Sequence, residues 1–172
     1  MKQIIILFLC VFFSQFACSQ QDIFDVARKG TVDEMKNLLK ENPTAINSVN
    51  KEGYSLLMLA TYRGNNGVAE FLIKNCADVN GVSNYGSPLM AAVVKGNTEI
   101  ARLLLEHKAD TSIADPSGNT ALIYAAIFKK YEIAEMLVNA KANIEIKDIR
   151  GNSALDYAKM TNDEKLMQLL KK

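Results

Sequence analysis

The sequence predicts an all-α solenoid, a stack of helix–turn–helix units, and three observations predict it. Ala60, Ala92, Ala125 and Ala158 recur at separations of 32, 33 and 33 residues. Gly53, Gly86, Gly118 and Gly151 recur beside them at 33, 32 and 33. The run from Lys95 to Asp110 is echoed by Arg63 to Asp78 one unit earlier and by Lys129 to Asn143 one unit later. Self-similarity at such a period marks units that cannot bury their apolar faces alone and therefore stack. A stack of this kind is a surface for holding something and rarely a pocket for chemistry.

Residues 1–19 differ in kind from the rest. Met1-Lys2 supplies a positive start, and Ile4 to Phe13 is an unbroken apolar run of ten. Ser14, Gln15, Phe16, Ala17, Cys18 and Ser19 follow. This is the layout of a secretory signal peptide, and the run is short for a membrane span. Cleavage after Ser19 would leave Gln20 as the new N-terminus. Ala17-Cys18-Ser19 also partly matches a lipoprotein signal, in which Cys18 is lipidated. Gln15 and the bulky Phe16 fit that pattern poorly, so plain cleavage ranks first, a lipid anchor second and an uncleaved anchor third. The expected location is accordingly export, to a bacterial periplasm or the outside, or else the membrane surface through Cys18. No membrane span is expected after cleavage.

Residues 20–172 read as one domain without a linker, in units of about 20–49, 50–82, 83–114, 115–147 and 148–172. The first unit keeps only its helices, with Val26-Ala27, Met35 and Leu38-Leu39 inside and charged Asp25, Arg28, Lys29 and Lys36 free to face water as a cap. In the second, Ser55 to Tyr62 and Asn66 to Lys74 are the helices. In the third they are Pro88 to Val94 and Thr98 to Glu106, and in the fourth Ala121 to Phe128 and Tyr131 to Asn139. Ser55, Ser87, Thr120 and Ser153 each precede an apolar run, where a hydroxyl caps free N–H groups. Pro88 falls at a first helical position, where its missing N–H costs nothing. Val68, Phe71 and Leu72, then Ile100, Leu103 and Leu104, then Ile133, Met136 and Leu137 give one apolar stripe per second helix. The last unit closes on Lys171-Lys172, suited to a helix C-terminus.

The pattern Gly-x-Ser/Thr-x-Leu, then Ala-x-x-x-Gly and a Leu-Leu helix ending Ala-Asp-Val-Asn, resembles the ankyrin repeat. The likeness is close over Gly53 to Asn80 and Gly86 to Asp110, and recognisable over Gly118 to Asn143. It implies an L-shaped stack whose helix pairs carry projecting β-hairpin loops. The family's usual first-helix His is replaced by Met58, Met90 and Ile123, so the hydrogen bonds it supports between repeats should be missing. Asp156 takes that place in the last unit, a terminal variant. The third hairpin is one residue short. Lys129 stands where the helix break usually has Gly, which implies backbone strain or an altered turn. Cys76, Lys108 and Lys141 likewise hold helix-end sites often given to Gly.

Composition narrows the function. Formal net charge is +1, and loss of residues 1–19 takes away Lys2 and no acid, leaving 19 basic and 19 acidic residues. No basic run interleaves with aromatics, so no nucleic acid is expected. Cys76 alone would remain of three cysteines, so no internal disulfide is available; a shielded thiol, an intermolecular pair or a minor redox role is open. The single histidine, His107, lies late in a helix without a nucleophile or oriented acid, where a surface cation is expected anyway. Asp78, Asp110 and Asn143 recur once per unit as loop architecture. No catalytic residue, cofactor or metal site is expected.

The resemblance places partner contacts at hairpin tips and the exposed ends of first helices. Here those are Lys51, Glu52, Tyr54, Tyr62 and Arg63, then Asn84, Tyr85 and Lys95, then Ser117, Asn119 and Phe128, then Arg150 and Asn152. Val94, Pro116, Ile127, Ile149 and Met160 share these places. The aromatics exceed what a solvated rim needs, and aromatic and Arg anchors suit interfaces. The alternative is that these side chains pack between repeats. The expected function is an exported, non-enzymatic protein-binding module. A second reading is a chaperone-like or immunity-like regulator of a secreted enzyme. A small enzyme would need perturbed acids or bases in a pocket, which the sequence does not show.

Overall fold

A computed structural model describes residues 22–75 and 78–171. Residues 1–19, expected as a signal peptide and containing Cys18, lie outside the described residues, as does Cys76. Ten α-helices run in order among those residues: α1 (Ile23–Lys29), α2 (Val32–Glu41), α3 (Leu56–Arg63), α4 (Asn66–Asn75), α5 (Pro88–Lys95), α6 (Thr98–Glu106), α7 (Ala121–Ile127), α8 (Tyr131–Asn139), α9 (Ala154–Met160) and α10 (Glu164–Leu169). A 3₁₀ turn, Pro43–Asn47, follows α2.

Two rows result. The inner helices α1, α3, α5, α7 and α9 pack in series, and the outer helices α2, α4, α6, α8 and α10 pack in a second series. Ala60, Ala92, Ala125 and Ala158 are fully buried in the inner row, where the lack of a larger side chain lets backbones approach. Outer helices bury one stripe: Val68 and Leu72, Ile100 and Leu104, Ile133 and Leu137. Burial of each such side chain contributes about 1.5–3 kcal/mol.

Helix ends follow the sequence. Ser55, Ser87, Thr120 and Ser153 accept from the N–H groups of Met58, Met90, Ile123 and Asp156. Gly64 and Gly96 end α3 and α5 with φ of 75° and 67°. Lys129 occupies the equivalent place after α7 with φ 53°, so the anticipated strain is present. Lys108 and Lys141 close α6 and α8 at φ 64° and 65°.

One expectation is modified. The hairpins are isolated antiparallel bridges, Val49 to Ser55, Ala114 to Thr120 and Lys147 to Ser153, with a tighter Ser83 to Gly86 in the shortened unit. Side chains at their bases account for this. Asn50, Asp115 and Asp148 each turn a carboxyl or amide oxygen onto two loop N–H groups that a longer ladder would have used. Within single units, other side chains stand at the place of the missing imidazole. At Met90 the thioether itself accepts the Ser87 N–H at 3.2 Å, so a sulfur closes the capping box. In the last unit Asp156 closes it with a carboxylate.

Candidate functional site

Inner helices and hairpins together line one apolar groove of about 340 Å³. Its walls are aromatic: Tyr54 from the base of one hairpin, Tyr85 from the turn of the next, Tyr62 from the end of α3, and Tyr124 from α7. Met58, Met90, Ala91 and Val94 complete it. The local chain explains each placement. Tyr54 is fixed by its N–H on Asn50 Oδ1 at 2.8 Å, immediately before the cap of α3. Tyr62 follows from Met58 by one helical turn. The four-residue turn at Ser83–Gly86 brings Tyr85 back over the previous unit, and the Tyr54 and Tyr85 rings stack with centroids 5.3 Å apart and planes 16° apart.

Tyr124 anchors the far wall. Its hydroxyl donates to Asp115 Oδ2, joining α7 to its own hairpin. Phe128, one turn further, stacks on Tyr124 at 5.9 Å and extends the aromatic surface beyond the groove. Burial pushes the Asp115 carboxyl up. Hydrogen bonds from Tyr124, from the Asn119 side chain and N–H, and from the Ser117 N–H outweigh it, and the net shift is downward. Burial, with the Asp115 bond and charge, pushes the Tyr124 phenol up to about 12. Burial and the neighbouring Tyr85 hydroxyl raise Tyr54.

The structure therefore brings Tyr54, Tyr62 and Tyr85 into one groove and sets Phe128 at its margin. Tyr85 is 67% exposed, Tyr62 46% and Phe128 44%, so these three rings are not consumed by packing between units. Lys95 reaches Tyr62, its Nζ 4.5 Å from the ring centroid. Glu52 and Asn84 line an adjoining trough of about 430 Å³ at the hairpin tips, with Val82, Asp115 and Pro116. Lys51 lies on the opposite side of Glu52, beside Asp22, Phe24 and Arg28.

Other candidate positions stand apart from the groove. Arg63 and Arg150 are exposed but line none of it. Asn119 and Asn152 are half-buried, with their N–H groups on Asp115 and Asp148. The carbonyl of Ser117 accepts the Ile149 N–H at 3.0 Å and couples two hairpins. His107 is exposed at the end of α6, its Nδ1–H donating to the Leu103 carbonyl at 2.9 Å. Among the described residues no group of three or more His, Cys, Asp or Glu is placed to hold a metal ion. Nor is any helix among them long and apolar enough to cross a membrane.

Tyr124, Met58, Met90, Ala91 and Asp115 were not among the candidate residues from sequence. One signal was available: Tyr124 follows Asp115 by nine residues as Tyr157 follows Asp148, and both pairs make the same bond.

Comparison with known proteins agrees with this architecture. A family model described as ankyrin repeats, in three copies, matches residues 23–115 and 79–148. Compared with curated proteins, the sequence matches none.

Proposed function

The chain belongs to the ankyrin-repeat family, and from that premise we propose that it is a non-enzymatic module that grips another protein through the tyrosine groove. Ankyrin repeats are in general protein-interaction modules. One observation carries the proposal: rings from consecutive units converge on a single open groove of about 340 Å³, with Tyr62 and Tyr85 left exposed in it. A contiguous exposed aromatic patch is the kind of surface partners bury. Export is part of the same reading. It rests on the apolar run Ile4 to Phe13 and the small-residue exit at Ala17 and Ser19.

The test compares two immobilised proteins, the wild-type domain and one carrying both Tyr62→Ala and Phe128→Ala, exposed to the exported fraction of the producing cells. A protein held by the first and released by the second supports the reading. Equal retention by both would sink it.

A further inference from the structure

We propose that the groove accepts a basic side chain, above all an arginine, presented by the protein partner; this rests on the protein-binding reading above. The chemistry follows from the walls. The face of a phenol ring is electron-rich and attracts a cation placed within about 6 Å of its centroid. The molecule already makes such a contact at one wall, where the Lys95 ammonium sits 4.5 Å from the Tyr62 centroid. Tyr124 donates its hydroxyl proton toward a carboxylate, which leaves its ring richer in electrons than that of a free phenol.

Charge around the groove points the same way. None of the side chains lining it is cationic. The trough beside it carries two carboxylates, Glu52 and Asp115, and no basic group. A guanidinium entering from the hairpin side would meet acids first and ring faces next. Size agrees as well, since 340 Å³ lies near the lower end of ligand pockets, about 300 Å³. That leaves ample room for one long side chain. Planar guanidinium groups also stack on aromatic faces, which ammonium groups do not. Lys95 belongs to the same surface without lining the groove, and acts as an internal competitor for the ring it covers.

The experiment uses the full domain with its methionine methyl groups labelled with ¹³C, because Met58 and Met90 line the groove and report occupancy directly. The probes are acetyl-Gly-Arg-Gly-amide and its citrulline counterpart, of nearly equal shape and no charge. The arginine peptide should shift both methyl signals and bind at least about threefold more tightly than the citrulline peptide, the size of a cation–π preference at a partly exposed site. Tyr62→Leu should remove most of that preference. Lys95→Gln should tighten the arginine peptide about twofold or more by removing the competing cation. Equal binding of the two peptides overturns the cation assignment and leaves an apolar docking groove, with the protein-binding reading intact. Absence of any shift with either peptide also overturns it, while partner capture by the groove variant decides the wider reading separately. An unchanged or weaker affinity in Lys95→Gln would refute the competition.

Discussion

The side-chain amide of Asn65 donates to the carbonyl of Gly30 at 2.9 Å, across 35 residues. The same nitrogen lies 3.3 Å from the Ala27 carbonyl and 3.4 Å from that of Val26. One amide therefore serves the Ala27 and Gly30 carbonyls at the end of α1, while the Val26 carbonyl also accepts the Gly30 N–H at 2.8 Å. Removing it leaves carbonyls orphaned at the seam between the first two helix pairs. Asn65→Ala should cost about 1–2 kcal/mol. The amides of α1 should exchange with deuterium earlier than those of α5. Uniform loss of protection along the stack would contradict a seam-specific role.

A cavity should be felt most in the middle of the stack. Leu104 is fully buried on α6, whereas Leu103 beside it is half-buried. Leu104→Ala should lower stability by roughly 2–5 kcal/mol, with Leu103→Ala well below that. Urea midpoints of the two variants check the order, and a reversed order would show that the buried stripe is misassigned.

Removing the groove rings should separate binding from folding. Tyr62 and Phe128 are both more than two-fifths exposed, so Tyr62→Ala with Phe128→Ala should leave the melting temperature within a few degrees of wild type. Partner affinity should fall by at least about 1–2 kcal/mol. A large drop in melting temperature would mean that the rings pack between units.

Two lysines carry avoidable strain. Lys108 and Lys141 have φ of 64° and 65°, the left-handed region in which an L side chain is disfavoured by about 1–2 kcal/mol. Glycine there removes that cost but adds about 0.5–1 kcal/mol of chain entropy. Lys108→Gly and Lys141→Gly should each raise stability by about 0.5 kcal/mol. A lower urea midpoint in both would show that their side chains supply something the backbone does not reveal.

Acid should loosen the hairpins. The Tyr157 hydroxyl holds the Asp148 carboxyl below the usual range, aided by the Asn152 N–H and opposed by burial. A lowered folded pKa stabilises the protein above the unfolded carboxylate value of about 3.9 and is lost as pH falls through the folded value. Asp110, Asp156 and Asp163 shift the same way. Stability should therefore decline below about pH 4. Asp148→Asn should be less stable at neutral pH and show a shallower decline. An unchanged slope would remove Asp148 from the acid response.

Much of the fold was legible because it depends on residues that repeat. A buried alanine every 32 or 33 residues and a hydroxyl before each inner helix after the first act within one unit, so the chain displays them in plain order. What crosses between units was harder to read. Nothing local marks Asn65 as the cap of a helix that ended at Lys29. Tyr124 looks like an ordinary inner-helix residue until Asp115 is folded against its hydroxyl. Met90 reads as a lost imidazole, yet its sulfur still takes the Ser87 N–H. Asn119 and Asn152 stand at hairpin tips in sequence, but the Asx turns draw their N–H groups inward.

The two parallel rows of helices have a kinetic consequence. Inner and outer helices pack within their own pair and against the next pair along, so closing the contacts between pairs requires a chain loop of about one period wherever it occurs. Loop-closure entropy is then nearly the same at every step. Any adjacent helix pairs stable enough to dock can start the process, and each later addition repeats the previous one. Short, equal loops of this kind go with fast folding. Weakening one seam, such as that at Asn65, would shift where zipping begins more readily than it would slow the whole.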